Sequence, residues 1–422
     1  MKRFLVISLV ILMFLMVSVV SFAGEKELIF ASTQLVPAAE KEFMIGTILK
    51  NFTEESGVPV NFVGLTYNEI LSRLSAEQKT GKTTISLVGD LHGGLDVMSA
   101  RDLLSDLSNL TLPYRTFIST LENYSVIRNK KVYIPWMQAT YVMVVNKRAY
   151  DCLPEGLTRD DITKASDKWT YEALLAWAKN LNDKTGSPKF GLPMSPKGLF
   201  HRFLHGYLLP SFTGYQAKEF ASKDGIAAWE YIRKLVKYIH PASSVWSAMD
   251  EPLKKEEVLF AWDHTARIKS AIVESPDKFE VIPVPRGPKG RGFIVVAVGL
   301  AVPQGVPEKE NAYKLIEYLT RPKVQIQILE KVGFFPTVKQ AVGTLPEGAL
   351  KVLAKGVSAQ SSAKDAIVAM IPNLGKKGGE FTSTYRDVFK KVVLQNKDIA
   401  KEVEKAGEKL TKLFGDAGIP VQ

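Results

Sequence analysis

Cysteine is almost absent: of 422 residues only Cys152 carries a thiol. No disulfide can form within the chain, and a lone thiol is usually a small buried hydrophobe rather than a nucleophile. Histidine is scarce too, at five residues, and His201 and His205 stand i, i+4, the spacing that puts two imidazoles on one helix face. Arg202 occupies the place where a zinc-protease pattern needs glutamate, so hydrolysis through that motif is not expected and no metal is assigned. The Gly-x-Ser-x-Gly elbow of serine hydrolases is missing. So is a phosphate-cradling loop, because the run Gly287 to Gly292 lacks a strand-to-helix context and Pro288 offers no backbone N–H. No cofactor and no catalytic residue is assigned. Internal repeats, low-complexity tracts and disordered linkers are also lacking, so ordered crossings are expected between any domains.

A long apolar run occurs at the start. Lys2 and Arg3 precede Phe4 to Phe22, and Ser21 and Ala23 place small residues three and one positions before Gly24. This is the pattern of a cleaved signal peptide over residues 1–23 and of periplasmic export; an uncleaved anchor is the alternative that the length of the run leaves open. With no cysteine after the cleavage site, lipid attachment there is not expected. Losing Lys2 and Arg3 lowers the formal net charge from +11 to +9. The remaining lysines are scattered rather than gathered into a stripe, which argues against nucleic acid as a partner.

About 400 residues exceed what one hydrophobic core usually supports, so two lobes are expected. Leu28 to Ala31 reads as a strand, Ala38 to Phe52 as a helix, Val60 to Val63 as a second strand and Thr84 to Val88 as a third, followed by a polar turn from Gly89 to Gly94. Such alternation predicts an α/β lobe with parallel pairing. After the β-rich stretch Val132 to Asn146 the texture turns helical. Thr170 is a predicted N-cap for a helix burying Leu174, Trp177, Ala178 and Leu181, and a later helix carries Trp229, Ile232 and Val236 on one face. Strand character returns at Phe279 to Pro283 and Phe293 to Val302. The last helix, with Ile399, Val403, Ala406, Leu410 and Leu413 on one side, stops near Gly415.

The order of several short motifs resembles the extracellular solute-binding proteins of ABC importers, in particular the maltose and other sugar receptors. They are Val132 to Trp136 followed by Val144-Val145-Asn146-Lys147, then Trp169-Thr170-Tyr171-Glu172-Ala173-Leu174, Val281 to Pro288, Val298 to Val302, Ala312 to Leu319, and Val332 to Pro336. Two segments depart from that pattern: Phe260 to Arg267 is richer in ionisable groups, and the turn around Asp90 is Gly-rich and carries His92. The resemblance implies a type II periplasmic-binding fold, with two α/β lobes, a ligand cleft and hinge crossings, and a monomer that hands a sugar to membrane permease subunits. Its expected divisions are lobe 1 at 24–145, lobe 2 at 146–292, a return to lobe 1 at 293–345, and C-terminal helices at 346–422 shared between the lobes. A same-fold receptor for an anionic solute or metal complex, and an exported glycoside hydrolase, are the competing readings.

Sugar recognition needs flat aromatic faces for C–H patches and fixed polar groups for hydroxyls. Trp136, beside the first crossing, is the leading candidate for a cleft wall. Asp263, His264 and Arg267 follow an apolar strand at a junction that delivers polar groups, and the planar fork of Arg267 suits a carboxylate, a phosphate or two hydroxyls. Asp90 and His92 stand at the C-terminal edge of the third strand, where α/β sheets usually place ligand. Gln34, Tyr67, Trp246 and Phe335 complete the set. For each, packing or surface capping is the alternative role.

Overall fold

The computed structural model describes residues 26–370, 372, 374 and 377–422; the expected signal segment at 1–23 lies outside them. No described helix is long and apolar enough to cross a membrane.

Twelve strands are present among the described residues: β1 (Leu28–Ser32), β2 (Val60–Gly64), β3 (Ile85–Leu91), β4 (Val126–Ile127), β5 (Lys130–Lys131), β6 (Ile134–Asn146), β7 (Phe190–Gly191), β8 (Phe260–His264), β9 (Phe279–Ile282), β10 (Arg291–Ala301), β11 (Phe335–Pro336) and β12 (Ala366–Ala369). Ten of them form one sheet in the order β2-β1-β3-β10-β6-β8-β7, with β11, β12 and β9 paired off this path, while β4 and β5 form a small hairpin. The expected β-α-β start holds, since β1 lies parallel to both β2 and β3. β3 runs on to Leu91, so Gly89 and Asp90 belong to the strand and not to a turn.

Two strands serve both lobes. β6 has thirteen residues, every one buried, and is rich in the β-branched and aromatic types that suit a two-sided interior. Its first half pairs with β10 as far as Thr140, opposite Val295. From Tyr141 onward it pairs with β8 and, from Met143, with β9. β10 changes partner in the same place, with Arg291 to Ile294 on β12 and Val298 to Ala301 on β3. Both strands thus exchange partners within their length, at Thr140/Tyr141 and at Ile294/Val295.

Beyond that point β6 and β10 separate, and side chains replace the lost ladder. The Tyr207 hydroxyl donates to the Tyr141 carbonyl at 2.9 Å and accepts from the Tyr141 N–H at 3.1 Å. Gln360 donates to the same carbonyl at 2.7 Å and accepts from the Val284 N–H at 3.2 Å. Thr140 Oγ1 donates to the Ile294 carbonyl at 2.5 Å. All these groups are buried, so each would be costly unpaired.

Each lobe has a core, and a further cluster, with Leu329 and Phe335 on one side and Val142 and Phe279 on the other, spans the crossing. In lobe 1, Phe30, Ile48, Trp136 and Leu315 pack on one sheet face, while Ile70, Leu95 and Tyr133 pack on the other. In lobe 2, Trp169, Trp177, Trp229 and Trp262 share a core with Phe381, Tyr385, Leu410 and Phe414. The helices from residue 378 onward close their apolar faces over this Trp-rich layer, while the helix Ala349–Ser361 packs in the cluster common to both lobes. Thr170 caps its helix as expected, accepting from the Ala173 N–H at 3.1 Å.

The hydroxyl that joins the diverging strands gives a direct test. Tyr207→Phe should lower stability by about 1–3 kcal/mol, because it leaves the Tyr141 N–H without a partner. A urea titration with an unmoved midpoint would contradict this role.

Candidate functional site

Where a crossing strand has left one lobe's sheet and not yet joined the other's, its edge is open, and a cavity lies at each such edge. Along β10 the open stretch is Val295 to Ala297, between the end of β3 and the end of β12. It borders a cavity of about 320 Å³ lined also by Tyr67, Asp90, Gly94 and Met370. Along β6 the open stretch lies between β11 and β8. It borders a second cavity, of about 220 Å³, that includes Ala139, His264, Lys269 and Phe335. Ala139 and Val296 are cross-strand partners, so their side chains share one face, and Val296 is the one position of β10 that is not fully buried. The two residues form an apolar floor between the lobes.

On the lobe 1 wall, Asp90 is 3% exposed. Its Oδ1 accepts from the Thr33 hydroxyl at 2.5 Å and from the Leu91 N–H at 2.8 Å, while Oδ2 has no partner among the described residues. Burial raises its carboxyl above the usual range, partly offset by those two hydrogen bonds. Gly94 is required by close approach, since a Cβ there would lie 2.0 Å from Asp90 Oδ2. Tyr67 opens the helix Tyr67–Thr80, whose N-terminus is set by a capping box of Thr66 and Glu69.

On the lobe 2 wall, Asp263 is the penultimate residue of β8 and wholly buried. It accepts from the His264 N–H at 2.7 Å and the Met249 N–H at 3.1 Å, while His264, through Nδ1, caps the following turn. The side chain of His264 meets Tyr141 edge-on at 4.9 Å between ring centroids. Arg267 donates to the Ser247 carbonyl at 2.7 Å.

Several predicted positions lie elsewhere. Trp136 is 0% exposed and packs on Phe30, with ring centroids 5.7 Å apart, in the lobe 1 core. The β6/β10 register shifts between Val298 and Gly299, opposite Met137 and Pro135, so Trp136 sits at a bulge that turns it inward and away from the floor. His92 is stacked on Tyr124 at 3.9 Å and bonded to the Tyr133 hydroxyl at 3.0 Å, which fixes it as packing. Trp246 stacks on His240, and Gln34 bonds its neighbour Thr33; neither borders the two cavities. Phe335 borders the second cavity but is 3% exposed and belongs to a core.

The residues that pattern reading passed over are Val296, Ala139, Met370 and Tyr141. Tyr141 lies flat on Trp262, with ring centroids 5.0 Å apart. Arg202 follows His201 on the helix that begins at Phe200. No group of three or more His, Cys, Asp or Glu suited to a metal ion occurs among the described residues. His201 Nδ1 instead lies 3.2 Å from Arg386 Nη2.

Two mixed α/β lobes joined through shared strands, with cavities at the crossing, define a two-lobed solute receptor fold. The chain belongs to the bacterial extracellular solute-binding protein family, whose profile matches residues 47–349. Solved structures agree on the fold. The sugar-binding protein MalE of Xanthomonas citri is 15% identical, with a TM-score of 0.68 over 93% of this chain and 98% of that one. The cyclic α-maltosyl-1,6-maltose binding protein of Arthrobacter globiformis is 14% identical, with a TM-score of 0.64 over 93% and 100%. UgpB of Mycobacterium tuberculosis, solved with glycerophosphocholine, is 16% identical, with a TM-score of 0.60 over 93% and 100%. A sequence comparison with curated proteins gives no match.

Two outcomes test these placements. Trp136→Ala should cost about 3–5 kcal/mol of stability as a core truncation and leave ligand affinity in the folded protein unchanged; weakened binding without lost stability would return Trp136 to the cleft. The second concerns pH. Burial pushes the Asp263 carboxyl up to about 8, so the folded chain keeps a proton that the unfolded chain, at roughly 3.9, releases. That stabilisation is complete below about pH 4 and is lost as pH rises through about 8. Burial acts in the opposite sense on the histidines, holding His92 and His264 down at about 4 and His201 at about 3, so their stabilisation is lost as pH falls. The difference between wild type and Asp263→Asn isolates the carboxyl: melting temperatures should show wild type losing its advantage from pH 5 to 8, whereas parallel profiles would refute the assignment.

Proposed function

We propose that the mature chain is a periplasmic receptor of an ABC importer, which captures a sugar between its lobes and passes it unchanged, as a monomer, to membrane permease subunits. The observation that carries this reading is Asp90. It is a buried carboxylate with one oxygen unpartnered, beside an interlobe cavity that also has an aromatic ring, Tyr67, and an apolar floor. Unpaired buried acceptors call for donors, and sugar hydroxyls supply them while the ring faces take C–H patches. The cavity of about 320 Å³ is at the lower end of the range for small-ligand sites.

Asp90, Tyr67 and His264 are the contacts proposed from the predicted set, joined by Val296 and Ala139 as floor. We place lobe 1 up to Thr140 and again from Val295, and lobe 2 between Tyr141 and Ile294, with β12 and the C-terminal helices added to it. Relatives of known structure with sugars in their names support the ligand class. Catalysis finds no support in the site: a glycosidase needs two carboxylates across a cleft, and among the described lining residues of the two cavities Asp90 is the single carboxylate.

Ligand that touches both lobes only when they close stabilises the closed form. X-ray scattering should therefore show a more compact particle when a bound saccharide is added, with the saccharide recovered intact. Asp90→Ala should weaken binding by roughly 1.5–3 kcal/mol, the worth of a hydrogen bond to a charged group. Turnover of the saccharide, or full affinity in Asp90→Ala, would refute the proposal.

A further inference from the structure

The cavity beside Asp90 has a neighbour. A further cavity, of about 230 Å³, is lined by Tyr124 of lobe 1 and by Pro210, Tyr215, Gln216 and Ala369 of lobe 2. Among the described residues Met370 alone lines both this outer cavity and the inner one at Asp90 and Tyr67. Its place follows from the sheet. Ala369, opposite Ile294, is the last paired residue of β12, so Met370 leaves the ladder where the open edge of β10 begins at Val295.

A residue beyond the last rung of a ladder is free to shift unless its main chain is held, and Met370 is held twice by one side chain. The Gln216 carboxamide accepts from the Met370 N–H at 3.0 Å and donates to the Met370 carbonyl at 2.7 Å, and its nitrogen also lies 3.0 Å from Nδ1 of His205. Gln216 is 4% exposed and His205 fully buried, so this clamp belongs to the interior of lobe 2. Paired N–H and C=O bonds of this kind copy one rung of an antiparallel sheet. In the outer cavity Tyr215 is 43% exposed, yet its main chain is also fixed, since the Thr213 hydroxyl accepts from the Tyr215 N–H at 3.0 Å. Its ring is a ready flat face for sugar C–H patches.

We propose that Met370 sets the length of the ligand: it closes the inner cavity around a mono- or disaccharide and shuts it off from the face of Tyr215. This rests on the receptor reading above and deepens it. The inner cavity, at about 320 Å³, suits a short saccharide, and a chain that runs on from it toward Tyr215 meets Met370. A methionine side chain is unbranched and adaptable, so a partition built from it depends on the clamped main chain beneath.

The test is calorimetric titration with mono-, di- and tetrasaccharides of glucose, galactose, mannose and xylose. The proteins are wild type, Met370→Leu, Met370→Ala, and Met370→Ala combined with Tyr215→Ala. Wild type should bind the mono- or disaccharide of one series and hold its tetrasaccharide more weakly. The ratio of tetrasaccharide affinity to that of the shortest member bound should rise about tenfold in Met370→Ala, the scale of one good aromatic contact. It should rise less in Met370→Leu, which keeps the volume, and fall back to the wild-type value in the double variant. Taking a ratio removes any uniform loss from disturbed packing. Wild type that prefers the tetrasaccharide, a ratio unmoved in Met370→Ala, or one that stays raised without Tyr215 would overturn the inference and leave the receptor reading intact. Failure of every saccharide to bind would overturn both.

Discussion

The antiparallel pairing of β6 with β10 is the interaction on which the rest of the molecule depends. It is the ladder that ends, on both strands, where one lobe gives way to the other, at Thr140 opposite Val295. Because each strand then takes new partners, the crossing is continuous backbone and not a flexible tether. Motion there is confined to a few dihedrals, as a hinge between rigid bodies requires. Tyr207 and Gln360 fill the wedge where the strands part, so the Tyr141 N–H and carbonyl both keep partners. The same divergence opens the strand edges that border the two cavities. Hinge and site thus have one origin: the exchange of partner strands creates both.

The composition of the walls follows from the composition of the cores. Of six tryptophans, five are fully buried, and Trp246 is committed to His240. Stability without disulfides draws these large rings inward, as expected for a chain held by apolar burial alone. What is left for the interlobe surface is tyrosine, small aliphatic residues and ionisable groups that burial has displaced from their ordinary protonation. Burial pushes the Asp263 carboxyl up to about 8 and holds the imidazoles of His92, His201 and His264 well below their usual range. Arginine, which cannot respond by losing its proton, keeps its charge.

Much of the fold was legible in the sequence because its elements obey local rules. Helical periodicity located the buried face with Leu174, Trp177 and Leu181, and Thr170 marked its start. The order of weak motifs then identified the family, where no single motif could. Trp136 was misread for a physical reason: every residue of β6 is buried, so a period-two pattern has no polar face to betray which side a residue takes, and the bulge is set by register with a strand about 160 residues away. The third strand ran longer than expected because Gly89 and Asp90 look like turn residues, yet pairing with Gly299 and Leu300 overrides that local preference. Arg202 was weighed only as a departure from a zinc motif.

The distribution of charge between the walls has a consequence for closure. Lobe 1 presents to its cavity the unpartnered oxygen of Asp90, whereas the buried Arg291 of lobe 2 is paired with Asp365. Closing the cleft with only water inside would strip hydration from that oxygen, a cost that grows as the local dielectric falls. A ligand with hydroxyl donors for Asp90 removes that cost. Its binding energy is then realised chiefly in the closed state, and differential affinity of this kind is the only quantity able to shift a two-state equilibrium. Discrimination between ligands and the signal of occupancy would then arise from the same unpaired group.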